Sequence, residues 1–455
     1  MPSATLPNRG GTWAGQYAQG AAPAVAPAPA VAPPAPPTPG RNPGAVSRPT
    51  LSFYMFCLYT FVLVARPQDY IPFLASFRIA LILTVLTSLL TMLQRGDTTG
   101  SPFWQKETKL YFFLFAIMCA GAPFSTFRRA SFNFIILGYV VNVIFYLLFV
   151  IHVNTVPRWR QMAVVLMLSS LVFSVLGLQH GDFNAGRYDT GTQMFDPNDV
   201  AFVELSLLSF GLAVLLGSFG IVVRAVALGS VLLAVLLALY TGSRGGLLGL
   251  TAVFLMFMSF RLPRVKSVHK VIMVVALGAA IAMNLDKIDT DRYQTLTDIG
   301  EDYNSWDETG RVQVWARGLR LLSEAPLTGV GVNEFPEAIG KMRARENLLE
   351  QWQAPHNSYI EILVETGIVG GVVFPLLIIT SIRTFNDLRR RERSSADRFL
   401  QVLPGVLLIG FVGQLVAASF LSQAYSIFFT LSFAASASLK GIAASSSREA
   451  LRAQN

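Results

Sequence analysis

From Leu51 onward the chain is a succession of apolar runs, each about 20 residues long, the length needed to cross a bilayer. About twelve such runs are centred near Tyr59, Val85, Phe115, Val143, Leu168, Ser206, Leu232, Phe254, Val275, Pro375, Leu408 and Phe429. Lipid cannot satisfy backbone polar groups, so runs of this length must be helical. The expected fold is therefore all-α, a polytopic membrane helix bundle of about twelve spans. Composition agrees: 53% of the residues are hydrophobic and 14% charged, against about 25% charged in a soluble domain.

Lys and Arg set the orientation. Arg389, Arg390, Arg391 and Arg393 lie in one inter-span segment, Arg264 and Lys266 in another, and Arg158 and Arg160 in a third. Even numbers of spans separate these turns, so all three can be cytoplasmic, and both termini then are too. The net charge of +9 is distributed as the positive-inside rule expects, which argues against nucleic acid as a partner. The layout is a cytoplasmic Ala/Pro-rich tail over 1–48, nine spans over 49–284, an external helical loop over 285–356, three spans over 357–440, and a cytoplasmic tail over 441–455. The first tail is too rich in Ala and Pro to build a core and is expected to be disordered.

The polar stretches with the most chemistry fall on the external side: His180 to Asp196, Thr241 to Gly245, and Asp286 to Pro355. In the last, Val312, Trp315, Leu319 and Leu322 recur at helical spacing after Thr309, a plausible N-cap, and Pro326 ends the run. Asn333 is a candidate cap for a second helix from Glu334 to Gln351. The prediction is a small helical cap on the membrane surface, between the ninth and tenth spans.

Five arginines face the same side. Arg244 stands in TGSRGG, Arg187 in GRYDTGTQMFDPNDVA, Arg311 at the start of the first cap helix, and Arg128 and Arg129 in a short turn. A guanidinium at membrane depth is costly unless paired or lining a wet cavity, and it is well shaped for bidentate phosphate contacts. The set suggests a site for a polyanionic head group. Duller roles are open: Arg128 and Arg129 can hold interfacial lipid phosphates, Arg187 can pair with Asp189 or Asp196, and Gly242, Gly245 and Gly246 around Arg244 can serve helix packing.

The stretch APHNSYIEILVETGIVGG places His356 where the cap meets the tenth span. Asn357, Glu361 and Glu365 follow at helical spacing, on one face turned away from lipid. An imidazole is the side chain best able to take a proton near neutral pH. Neighbouring arginines would hold it neutral, and Glu361 would act the other way. Asp196 and Asn198 read as a cap for the sixth span, and Glu204 as a partner within the bundle. Cys57, Cys119 and the four histidines show no metal-ligand spacing. Asp289 and Asp291 form a DxD string beside Lys287 and Arg292, better read as a solvated charged stretch than as a metal site. No nucleotide-binding or serine-hydrolase motif is present, and no metal or cofactor is implied.

The ordered series GSRGG, ETGRVQVW, PLTGVGVNEF and PHNSYIEILVETGIVGG resembles the signature of the O-antigen ligase and polymerase superfamily, over roughly Arg187 to Gly371. The resemblance implies transfer of a glycan from undecaprenyl pyrophosphate at the periplasmic face of the bacterial inner membrane. The acceptor is lipid A–core in ligases, another lipid-linked repeat in polymerases, and a protein hydroxyl in O-oligosaccharyltransferases. By position, Arg244 and Arg311 match the arginines that hold the pyrophosphate, Arg187 a further ligand of it or of the loop, and His356 the residue that activates the acceptor. Asn357, Glu361, Arg128 and Arg129 would support them. The rival from another class is a transporter or flippase, since arginines and helix carboxylates also suit an ion-coupled carrier. Carriers, however, place such groups near the midplane, within repeated halves.

Overall fold

The computed structural model describes residues 50–94, 105–184, 186–192, 194–263, 265–289, 293 and 310–454. The tail over 1–48, Arg264, Thr290 and Asp291 of the DxD string, the neighbouring Arg292 and the Thr309 cap lie outside the described residues.

Every expected span centre falls on a helix. These are α1 (Leu51–Ala65), α2 (Ile79–Leu93), α3 (Lys106–Gly121), α4 (Val140–His152), α5 (Val156–His180), α6 (Pro197–Leu216), α7 (Ile221–Tyr240), α8 (Arg244–Ser259) and α9 (Ser267–Ala282). After two cap helices, α10 (Arg311–Glu324) and α11 (Phe335–Arg345), come α12 (Ser358–Arg391), α13 (Arg398–Ala418) and α14 (Ile427–Gln454). Among the described residues, eight helices are long and apolar enough to cross a membrane. In that count α4 includes the preceding turn from Arg128 and a π-helical stretch, Phe134–Tyr139. Four more, α1, α2, α8 and α9, are apolar but only 15 or 16 residues long. The chain is a multi-pass membrane protein.

Contacts between helix ends sort the connections into two groups. At one end Arg66 stacks on the Phe195 ring at 5.2 Å, Thr126 N–H donates to the Val330 carbonyl, and Tyr240 Oη donates to Asn284. At the other, Thr91 bonds His152, Arg160 reaches the Ser218 carbonyl and Asp397, and Arg389 stacks on Phe260 at 4.3 Å. The described basic turns thus gather at one end, and the polar stretches that carry Arg187, Arg244 and His356 at the other.

Between the ends the core is aromatic. Tyr111 stacks on Tyr146 at 4.3 Å, Phe374 meets Phe429 edge-on at 5.2 Å, and the buried Trp159 indole donates to Ser438. The buried Glu204 carboxylate is paired: it accepts from Ser170 and Ser174, the intra-bundle partnership its position implies.

Three details differ from sequence expectation. The second cap helix is shorter, ending at Arg345 rather than Gln351. Its N-cap is Glu334, and Asn333 instead takes a left-handed backbone, φ 61°. The loop after α5 forms a two-stranded antiparallel hairpin, Asp182–Asn184 with Arg187–Asp189, in an otherwise helical fold.

Candidate active site

His356 lies between the cap and α12. Its backbone is left-handed, φ 46°, a conformation uncommon for a residue with a Cβ and one that needs support from its surroundings. Two bonds supply it. The His356 N–H donates to Ser422 Oγ at 3.0 Å, and the preceding Pro355 carbonyl accepts from the Trp315 indole at 2.6 Å. Trp315 is one turn into α10, so the same bond that fixes the histidine's backbone fixes the helix that begins with Arg311. Asn357 then caps α12, accepting from the Tyr359 and Ile360 N–H groups.

The His356 imidazole is partly buried, and its pKa is lowered from the ordinary value. Burial is the larger cause and the Arg311 cation the next, while Asp196 opposes them. The structure thus brings Arg311 and Asp196 each within electrostatic reach of His356. A neutral imidazole beside a cation suits a proton acceptor.

Asp196 is the N-cap of α6. It accepts from the Asn198 and Asp199 N–H groups, and Asp199 returns the bond in a capping box. Asp199 also accepts from Gln423 Nε2 at 2.8 Å. Arg187, in the hairpin, donates Nε to the Thr241 carbonyl at 3.0 Å and a terminal nitrogen to Asn198 Oδ1 at 2.9 Å. It thereby joins the start of α6 to the turn that precedes Arg244.

Arg244 is the first residue of α8, behind the Ser243 N-cap. The glycines after it serve packing. A Cβ at Gly245 would lie 2.8 Å from that of Phe420, and one at Gly246 would lie 2.7 Å from that of Ala201. Phe420 precedes Ser422 by two residues, so Gly245, which follows Arg244, and the His356 backbone meet the same short segment. Arg128 and Arg129 are exposed at the start of the short helix Arg128–Asn133. Ser125 and Ser131 of that turn bond the Val330 and Val332 carbonyls.

Sequence reasoning missed the segment that organises the site, the turn 419–426 between α13 and α14. Leu421 O accepts from Ser358 Oγ, Gln423 N–H donates to Ser358 Oγ, and Ala424 N–H donates to Glu361. The Tyr425 carbonyl accepts from Asn142. The signal was a polar interruption, SQAYS, between two apolar runs.

Glu361 and Glu365 both turn inward, as their spacing implies. Glu365, 1% exposed, accepts the Asn333 and Phe335 N–H groups. α12 is interrupted at Gly367, φ 70°. The Val364 and Glu365 carbonyls accept from Val330 and Gly331, and Ile368 N–H donates to the Pro326 carbonyl. The segment 326–335 is thus bonded into the opened helix. Glu334 beside it is buried, and burial with Glu337 and Glu365 nearby pushes its carboxyl up to about 7.

Against this geometry, residues 229–374 match a family model described as O-antigen ligase. This stretch, about a third of the chain, is similar to that family. The matched stretch holds Arg244, Arg311 and His356 and leaves out Arg187 and the turn 419–426. The chain is also similar to the exopolysaccharide production protein ExoQ of Rhizobium meliloti, 31% identical over 139 residues, 28% of this chain and 30% of that protein. It is 25% identical over 167 residues to an uncharacterized protein of Haemophilus influenzae, 34% of this chain and 42% of that one. The similarity spans less than half the length of either relative.

Proposed function

We propose that this protein is an O-antigen ligase-like glycosyltransferase of the bacterial inner membrane. It moves a glycan from undecaprenyl pyrophosphate to an acceptor hydroxyl at the periplasmic face. In this reading the bundle has twelve spans, the short helices included, with both termini cytoplasmic and the cap periplasmic. The observation that carries the reading is the Trp315–Pro355 hydrogen bond, which holds the cap helix that begins with Arg311 beside His356.

His356 accepts the proton of the attacking hydroxyl, for which general-base catalysis contributes about 10²–10⁴ in rate. Arg311 and Arg244 stabilise the charge that develops on the departing pyrophosphate, and Arg187 holds the loop beside them. Asn357 and Glu361 fix the start of α12, while Arg128 and Arg129 meet lipid head groups at the rim. A groove of about 340 Å³ between α6, α7, α8 and α9, lined by Leu239, Leu247, Thr251, Phe254, Leu277 and Ile281, offers an apolar path for the polyprenyl tail. It begins three residues from Arg244.

Lipid A–core is the acceptor of the ligase reading. The name of the Rhizobium relative, an exopolysaccharide production protein, favours a second reading in which the acceptor is another lipid-linked repeat and the product a polymer. Purified protein reconstituted with a lipid-linked glycan and each acceptor in turn distinguishes them. A glycan joined to lipid A–core supports ligation, and a ladder of lengthening lipid-linked products supports polymerisation. His356→Ala abolishes either product while donor accumulates; wild-type transfer by that variant removes His356 as the base.

A further inference from the structure

The end of the bundle away from His356 holds a second polar site. Glu107, near the start of α3, is fully buried. It accepts from Thr384 Oγ1 and from Lys440 Nζ at 3.1 Å, drawing α3, α12 and α14 together. Beside this ion pair opens a cavity of about 230 Å³, whose wall carries Lys106, Arg383, Lys440, Thr380 and Asp387. With Glu107 sealed behind Lys440, the surroundings hold three cations and two carboxylates, a net positive site.

Exposed apolar side chains on two adjacent helices lead toward this cavity. On α12, Val372, Leu376 and Ile379 are 51%, 45% and 42% exposed, and their spacing continues the same face into Arg383. On α3, Phe113 is 52% exposed and lies two turns from Lys106 on one face. The α12 stripe and Phe113 thus each lead to a cation at the cavity mouth. Exposed apolar side chains in rows are acyl-chain surface in a membrane protein. A Lys and an Arg at their ends, around a hydroxyl-lined opening, match the head group of an anionic lipid.

We propose that this cavity binds an anionic phospholipid, its phosphate between Lys106 and Arg383 and its chains along Phe113 and the Val372–Ile379 stripe. Arg383 lies 16 residues along α12 beyond the break at Gly367, roughly 24 Å of helix, at the end of the bundle away from Ser358. The site therefore belongs to the leaflet opposite the His356 pocket, and it does not depend on the glycan-transfer reading.

The test titrates delipidated full-length protein with phosphatidylglycerol and with phosphatidylcholine of the same chains, following bound lipid by native mass spectrometry. Wild type should prefer phosphatidylglycerol, and the double variant Lys106→Gln, Arg383→Gln should lose about tenfold or more of that affinity. Both side chains are exposed, so the fold does not depend on them. Thr380→Leu, which narrows the cavity and keeps every charge, should give a comparable loss. Arg390→Gln, an exposed charge at the same end but outside the cavity, should change little. Equal affinity for the two lipids, unchanged binding by the double variant or by Thr380→Leu, or an equal loss in Arg390→Gln would overturn the proposal. So would displacement of the lipid by inorganic phosphate at matching concentration.

Discussion

At the scale of single residues, the proposed reaction depends on keeping one imidazole neutral. Arg311 lowers the His356 pKa and Asp196 raises it, so the two neighbours can be tested by opposite shifts. Asp196→Asn keeps a good N-cap but removes the charge that favours protonation. The acid limb of the rate–pH profile should then move to lower pH, because neutral His356 persists further down. Arg311→Gln should move the limb upward, toward the ordinary histidine value, in addition to slowing transfer. A profile unchanged in both variants would show that His356 titration does not govern the rate. His356 and Arg244 stood out in the sequence because charged or titratable side chains at the ends of apolar runs are costly and need a reason, and Arg311 by the family resemblance of the stretch ETGRVQVW. Ser422 and Gln423 were not. They act through a hydroxyl, an amide and backbone N–H groups, which leave no periodicity and no charge. Asp196 was legible as a cap, and its second role follows only from where the chain brings His356.

Among elements, α12 carries the clearest test of how the cap is fixed. Gly367 sits at φ 70°, and a Cβ there would run into the Leu327 carbonyl. Gly367→Ala should therefore cost at least about 1–3 kcal/mol from backbone strain alone. Its signature would be faster proteolysis of the cap segment 326–335 and a loss of transfer, whereas an undisturbed cap would mean that the interruption of α12 is not what holds it. The break was illegible because GIVGG within an apolar run reads as continuous helix, and only the carbonyls taken by Val330 and Gly331 reveal it. The apolar groove gives a second test. Gly278 lines it, and a Cβ at that position would meet no atom within 4 Å, so Gly278→Leu fills space without displacing a neighbour. The donor KM should rise by about tenfold for a long polyprenyl chain, from the apolar contact surface lost, and change little for a short one. Equal KM values for wild type and variant on the long donor would exclude this groove as the tail's path.

For the whole molecule, the order of apolar runs predicted every helix that carries a span centre, because spanning length and helical periodicity are both written in composition. It did not distinguish the eight long helices from the four short ones, because span centres carry no length, and polar residues such as Arg66, Arg78, Gln94, Arg261 and Asn284 bound the apolar runs at α1, α2, α8 and α9. Nor did it reveal the small hairpin at Arg187, whose pairing involves three residues a strand. What unites these parts is the gathering of the cap, the start of α6, the Arg244 turn and the segment 419–426 at one end. The central claim is that Arg311 and His356 act there as one unit on a departing pyrophosphate and an attacking hydroxyl. Single-turnover transfer in proteoliposomes, measured for wild type, Arg311→Gln, His356→Ala and the double variant, tests it most directly. Residues that act as a unit lose activity non-additively, so the double variant should be about as slow as the slower single one. Losses that multiply, or a single variant that transfers at the wild-type rate, would contradict the claim.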